Sequence, residues 1–125
     1  MANYTAKRIG EMEAAFGGGF IKARAELGVG SFGLQVIAMP PDYDGYPEHD
    51  HAEDGQEEVY ATLEGSGSME VDGDSVELDR ETLVRVPAGV KRKVHAGPQG
   101  IRMLVIGGCP GVAYEAPAMT ELEQA

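Results

Sequence analysis

Residues 47–65 read Pro47-Glu48-His49-Asp50-His51-Ala52-Glu53-Asp54-Gly55-Gln56-Glu57-Glu58-Val59-Tyr60-Ala61-Thr62-Leu63-Glu64-Gly65. His49 and His51 are separated by one residue, and side chains with that spacing point to the same face of an extended segment. Glu58 opens a run that alternates polar and apolar residues as far as Leu63, as a strand does. Its carboxylate can therefore enter, from a neighbouring strand, the space where the two imidazoles converge.

Two imidazoles and one carboxylate form the ligand set of a divalent transition-metal site with open coordination positions. The chain has only three histidines, and two of them lie in this stretch. Gln56 has the same strand parity as Glu58 and offers a neutral amide oxygen as an alternative ligand. The sequence therefore predicts that His49, His51 and Glu58, or Gln56 in place of the carboxylate, hold iron, zinc, manganese or nickel.

The spacing of these residues resembles the first motif of the cupin superfamily, in which a His-x-His pair is followed by an acid and then by a glycine such as Gly65. Pro87-Ala88-Gly89 lies where the second cupin motif would follow a hairpin. The resemblance covers roughly residues 30–108, and two ordered motifs at compatible spacing make it fairly specific. It implies a small single-domain protein of the conserved-barrel type, an all-β antiparallel jelly roll with the metal or ligand inside.

The second motif departs from the family pattern where a metal ligand is expected. Counting from Pro87-Ala88-Gly89, the position of the usual metal-binding histidine is taken by Arg92, which is a permanent cation. His95 is three positions further along and faces the other side, unless a β-bulge between the two residues restores it. A cation about 4 Å from a dication costs several kcal/mol at an effective dielectric near 20. Arg92 turned away from the histidines thus favours a metal, whereas Arg92 paired with Glu58 favours a metal-free barrel.

Three functions stay open at this point. The first is a metal-dependent enzyme of oxygenase or isomerase type that acts on a small organic acid or an oxygenated aromatic. In it Arg92 and Tyr60, which shares the inward parity of Glu58, orient the substrate. The second is a metal-free barrel that binds a small anionic ligand through Arg92. The third is a purely structural barrel, since a fold does not select among the activities that it hosts.

Composition narrows the partners and the location. The 21 acidic and 10 basic residues give a formal charge of -11, which argues against binding nucleic acid or an anionic membrane surface. One cysteine and an N-terminus without an apolar run predict a cytoplasmic protein. Small barrels of the family commonly pair their sheets, so the resemblance implies a homodimer with a small-molecule ligand.

The 125 residues suffice for one domain, 1–125, with a core barrel over about residues 20–108. Ile9, Met12 and Phe16 at helical spacing predict a short helix over 6–16. The predicted strands are 20–27, 32–39, 59–63, 68–71, 75–78, 83–86, 91–95 and 101–106. A tail punctuated by Gly and Pro follows over 110–125 and either covers a sheet edge or frays.

Overall fold

Seven antiparallel strands make up one sheet in residues 3–123, the part of the chain that the computed structural model describes. The strands are β1 (Ala14–Ala15), β2 (Phe20–Ile21), β3 (Gly33–Met39), β4 (Glu57–Val71), β5 (Asp74–Leu78), β6 (Leu83–Val86) and β7 (Arg92–Gly108). One α-helix, α1 (Ala23–Leu27), and three 3₁₀ turns at Ile9–Glu11, Phe16–Gly18 and Ala118–Thr120 accompany them. The sequence prediction of an all-β antiparallel barrel is confirmed.

The two long strands β4 and β7 organise the sheet. Its order is β1-β2-β3-β7-β4-β5, and β6 pairs with β4. The first half of β4 pairs with the end of β7 and with β6, and its second half pairs with the start of β7 and with β5. Register shifts between Thr62 and Glu64 and between Gly65 and Gly67 separate the two halves. Such irregularities bend a strand, which lets β4 pass from one wall of the barrel to the other.

Alternate residues of the paired strands face inward and fill the core, as the period of two requires. On β3, β4 and β7 the inward positions include Ile37, Tyr60, Met103 and Val105, all of them buried. Val94 and Met69 continue this core in the other half of the sheet. The inward parity predicted for Tyr60 relative to Glu58 is therefore confirmed.

The predicted helix over 6–16 is wrong. Ile9–Glu11 form a single 3₁₀ turn, and Met12 is already extended at φ -83°, ψ 145°. Ile9 and Met12 pack beside the buried residues Ile21 and Val36, so their apolar side chains are covered without a helix. Gly10 lies within the segment and disfavours a helix. Pairing of β1 with β2 then decides the backbone conformation.

The predicted strand over 20–27 is only partly correct. Backbone pairing ends at Ile21, and Ala23–Leu27 form α1. Its Ala-Arg-Ala-Glu-Leu sequence consists of strong helix formers, and Gly28 ends it in the left-handed conformation at φ 79°. Elsewhere the predicted strands 59–63 and 68–71 belong to one strand, β4, and 91–95 and 101–106 both belong to β7.

The C-terminal segment packs against the N-terminal one. Lys22, which is almost wholly buried, donates to the carboxylate of Glu13 at 2.7 Å and to the carbonyl of Glu121 at 2.9 Å. The part of the predicted tail that precedes residue 124 thus covers the barrel, and its last two positions lie outside the described residues. Within the described residues no helix has the length and apolarity needed to cross a membrane.

We expect Met103→Ala to lower the free energy of unfolding by about 2–5 kcal/mol, because it leaves a cavity in a close-packed core. Met103 is 0% exposed, whereas Met119 is 51% exposed, so Met119→Ala is the matched control, with an expected change within about 0.5 kcal/mol. Urea denaturation of both variants measures the difference. Equal losses in the two variants would contradict this placement of the core.

Candidate metal centre

His49 and His51 are held in an extended segment against the start of β7. His49 and Arg92 exchange two backbone hydrogen bonds of 3.0 and 2.9 Å, and the amide of His51 donates to the carbonyl of Ala88 at 2.7 Å. The two imidazole rings lie 5.2 Å apart between centroids. The convergence predicted from their spacing is thus present in the structure.

Glu58 brings a carboxylate to the same place. It is inward-facing on β4, and one ligand atom from each of His49, His51 and Glu58 lies within 4.8 Å of the others. Oε2 of Glu58 is 3.4 Å from Nε2 of His51. The structure therefore brings together the three residues that the sequence nominates as metal ligands.

The other nitrogen of each imidazole is fixed by an acceptor. Nδ1 of His49 lies 3.1 Å from the carbonyl oxygen of Pro47, and Nδ1 of His51 lies 3.1 Å from both carboxylate oxygens of Asp54. A carbonyl and a carboxylate can only accept, so Nδ1 carries the proton in each neutral ring and Nε2 carries the lone pair. Metal-ligating histidines are held in this way in proteins.

Nε2 of His51 is buried and has no hydrogen-bond partner among the described residues. In the neutral imidazole its lone pair faces Oε2 of Glu58, and two acceptors at this distance repel each other unless a cation lies between them. The carboxylate of Glu58 accordingly raises the pKa of His51, since it favours the protonated ring. A divalent metal ion satisfies both atoms equally well, so the residues present fit a metal.

Arg92 and Tyr60 hold the second carboxylate oxygen of Glu58. Nη1 of Arg92 donates to Oε1 at 2.8 Å, and the hydroxyl of Tyr60 donates to the same oxygen at 2.7 Å. Arg92 thus has the orientation that the sequence argument associated with a metal-free barrel. The pairing engages Oε1 alone, however, and leaves Oε2 directed at the histidines.

The guanidinium of Arg92 is wholly buried and bonded on each nitrogen. Nε donates to the carbonyl of Val90 at 3.1 Å and Nη2 to that of Pro87 at 2.9 Å, in addition to the bond to Glu58. Its exposure is 0%. The structure therefore gives Arg92 a positioning role behind Glu58 and leaves no face of it open to an anionic ligand.

The protonation of this group follows from its contacts. Burial alone raises the pKa of Glu58, but the neighbouring imidazole of His51, the hydrogen bond from Tyr60 and the charge of Arg92 outweigh it, so the net pKa is lowered. Burial, together with the charge of Glu58, raises the pKa of Tyr60. Glu58 is therefore an ionised acceptor and Tyr60 a protonated donor at neutral pH.

His49, His51 and Glu58 line a cavity of about 1120 Å³. Its other polar lining comes from Gln56, Gln35, Tyr43, Tyr114 and Thr120. The apolar walls are made by Phe16, Phe20, Ile37, Met39, Tyr46, Val105 and Met119. Neither Arg92 nor Tyr60 is among the lining residues, so the structure gives no contact through which they would orient a substrate.

Gln56 lies beside the candidate ligands, and its amide nitrogen is engaged. It is 7% exposed, and its amide nitrogen donates to Asp54 at 3.3 Å, on the carboxylate that holds His51. The pattern of residues alone did not reveal Asp54, which the sequence places in an exposed loop. The signal for it was an acid three residues after a histidine in a turn, a spacing that lets the two side chains meet.

His95 lies outside the site. The register from Arg92 to Ala96 against Val71 to Gly67 has no bulge, so His95 faces away from the cavity and contacts Glu70. The alternative in which a bulge returns His95 to the ligand set is wrong.

Two glycines in one inward row make room for Glu58. Gly107 pairs with Gly33 on β3 and with Glu58 on β4, and both glycines line the cavity. A Cβ added at Gly107 would overlap Oε1 of Gln56 and lie 3.3 Å from Cγ of Glu58. Sequence reasoning missed this row because strand parity within β4 does not show which residues lie opposite on β7.

The fold was compared with those of known proteins. No family model matches the sequence, and no curated protein matches it. A cupin protein from Bacteroides fragilis has a similar structure, with a TM-score of 0.72 and 23% identity over 98% of this chain and 97% of that one. A sugar phosphate isomerase of the cupin superfamily from Silicibacter pomeroyi matches with a TM-score of 0.63 and 20% identity, over 71% and 57% of the two chains.

A Cupin 2 conserved barrel domain protein from Salinispora arenicola is also similar. Its TM-score is 0.53 at 18% identity, and the match covers 63% of this chain and 64% of that one. At these identities the likeness establishes a shared fold. This shared fold agrees with the resemblance of the sequence around His49 and His51 to the first cupin motif.

We expect Gly107→Ala to lower the free energy of unfolding by about 1–3 kcal/mol, because the added methyl group overpacks the space next to Gln56 and Glu58. Gly108→Ala is the matched control, since a Cβ at Gly108 has nothing within 4 Å. Thermal or urea denaturation compares the two variants. If Gly108→Ala lowers the free energy of unfolding as much as Gly107→Ala does, the close contact of Gly107 with Gln56 and Glu58 is contradicted.

We expect Arg92→Met to lower the free energy of unfolding by about 3–5 kcal/mol, because it leaves the carboxylate of Glu58 without its buried partner. Arg85→Met is the control: Arg85 pairs with Glu57 at 3.0 Å, but its side chain is 64% exposed. Such surface pairs contribute about 0–1 kcal/mol. Urea denaturation that gives the same small change for both variants would contradict a buried Arg92–Glu58 pair.

Proposed function

We propose that this chain, a protein of the cupin fold, binds one divalent transition metal through His49, His51 and Glu58 and is a metal-dependent enzyme of oxygenase or isomerase type. The observation that carries the proposal is the buried Nε2 of His51, which has no partner and lies 3.4 Å from Oε2 of Glu58. A metal ion at this point turns two facing lone pairs into two ligands.

The residues around the ligands support this assignment. Pro47 and Asp54 fix the tautomers of His49 and His51, and fixing of this kind raises the affinity of imidazoles for metals. Three protein ligands leave coordination positions for a substrate oxygen or a water molecule. The bound metal would supply a Lewis acid that polarises a substrate oxygen or activates water or dioxygen.

The repulsion expected between Arg92 and a metal is reduced by Glu58. Its carboxylate bonds to Arg92 through one oxygen and offers the other to the histidines, so it lies between the two cations. An intervening anion offsets much of the Coulomb cost of a buried guanidinium. For this reason we favour a metal although Arg92 has the orientation associated with a metal-free site.

The rival proposal is a metal-free barrel with a ligand in the same cavity. The Arg92–Glu58 pair favours it, and a cavity of about 1120 Å³ gives a ligand room in either case. The metal-free barrel was predicted to bind an anion through Arg92. Arg92 is wholly buried, so it presents no free cation to such a ligand. A cytoplasmic location and a homodimer stay predictions from the sequence and the resemblance.

We expect purified protein freed of any tag to carry about one metal ion per chain after incubation with iron, zinc, manganese or nickel. The double variant His49→Ala/His51→Ala should lose this metal, because two of its three ligands are gone. His95→Ala is the matched control and should keep it, since His95 faces away from the site. Elemental analysis of the desalted proteins measures the metal content.

A parent protein that retains none of the four metals would overturn the metal proposal in favour of the metal-free barrel. Retention by the double variant would show that any bound metal lies elsewhere. Circular dichroism of both variants ensures that a loss of metal does not come from unfolding. Metal-loaded protein can then be screened for oxygen uptake and for isomerisation of small oxygenated substrates.

A further inference from the structure

The charges around the cavity restrict what it can hold. Among the described residues that line it, none is a lysine or an arginine, and Glu58 is the one acid. Several nearby cations are engaged elsewhere: Arg92 on Glu58, Lys22 on Glu13, Arg24 on Glu121, and Lys93 on the carbonyl oxygens of Asp44 and Tyr46. A carboxylate or phosphate that enters the apolar part of the cavity would lose its hydration and gain no counter-charge there, which is costly.

The net charge of the chain also disfavours anionic ligands. Its formal charge of -11 creates a negative potential that lowers the local concentration of anions and slows their association. An organic acid is therefore disfavoured twice, first by the field outside the protein and then by the cavity walls. Of the two substrate classes predicted from the sequence, the small organic acid is therefore disfavoured relative to the oxygenated aromatic.

The walls are suited to aromatic rings. Phe16 and Phe20 meet edge to face at 6.2 Å, and Tyr46 meets His49 edge to face at 5.8 Å. Edge-to-face contacts of this kind extend readily to a bound ring. Met39 and Met119, which also line the cavity, are flexible enough to fill the space around ligands of irregular shape. The candidate metal ligands line the same cavity, and Tyr46 places an aromatic ring directly beside one of them, His49.

We propose that the natural ligand is an uncharged molecule built on aromatic rings, with a hydroxyl or carbonyl oxygen at one end. The oxygen would reach His49, His51 and Glu58, while the rings lie against Phe16, Phe20 and Tyr46. The cavity is somewhat larger than the range of about 300–1000 Å³ that accommodates drug-sized ligands, so a molecule of two or more rings fits. The oxygen-binding part rests on the proposed metal function, but the selection against charge does not.

The first experiment needs no metal. It uses two fluorescent probes with the same ring skeleton, the uncharged N-phenyl-1-naphthylamine and the anionic 8-anilino-1-naphthalenesulfonate, with protein stripped by a chelator. We expect the uncharged probe to bind at least about tenfold more tightly, because only the sulfonate must be buried without a partner. Equal or tighter binding of the sulfonate, or no binding of the uncharged probe, would overturn the proposal.

A pair of variants places the binding in the cavity. Met119→Lys adds a cation to the cavity wall and should tighten binding of the anionic probe by about tenfold. Val112→Lys is the matched control, because Val112 is 67% exposed and does not line the cavity, so it should leave that affinity unchanged. An equal gain in both variants would mean that the probe binds elsewhere on the surface, which contradicts the proposal.

A second experiment uses protein whose metal content has been measured. Methyl 3,4-dihydroxybenzoate and 3,4-dihydroxybenzoate present the same two hydroxyl groups and differ in charge at the far end. We expect the ester to displace N-phenyl-1-naphthylamine at lower concentration than the acid, and tighter binding of the acid would overturn the proposed selection. If the protein takes up no metal, the proposed function fails, while the probe experiment still decides the charge selection.

Discussion

The carboxylate of Glu58 is the point on which both the core and the candidate metal centre depend. Arg92 and Tyr60 bond to one oxygen, and His51 faces the other. Without this carboxylate, Arg92 would be an unpaired cation in the core, at a cost of several kcal/mol. The same side chain therefore stabilises the fold and belongs to the proposed ligand set, so the position cannot change for one purpose without affecting the other.

The sheet determines where this carboxylate lies. A bend in β4 and β7 closes the barrel, and the row Gly33, Gly107 and Glu58 crosses three strands that line the cavity. Two glycines in that row leave volume that side chains fill elsewhere in the core. The cavity is thus an effect of residue size at paired positions, and Gln56 and Glu58 extend into the space that results.

The sequence predicted correctly the features that depend on residues close together in the chain. The period of two in extended backbone was enough to predict that His49 and His51 converge and that Tyr60 shares the face of Glu58. It did not predict the backbone of residues 6–16, because packing of Ile9 and Met12 on the outside of the sheet outweighed their helical spacing. The direction of Arg92 depends on an acid 34 positions earlier in the chain, so parity could place it inside without identifying its partners.

The substitution of Arg92 for the histidine usual in the family pattern changes the electrostatics of the proposed centre. Two neutral imidazoles and Glu58 carry one negative charge, and the buried guanidinium cancels it. A site without net charge attracts a dication less strongly through Coulomb forces, so its affinity depends more on the imidazole nitrogens. Imidazole suits zinc, nickel and iron, whereas manganese prefers oxygen ligands. Of iron, zinc, nickel and manganese, the proposed centre would therefore suit manganese least.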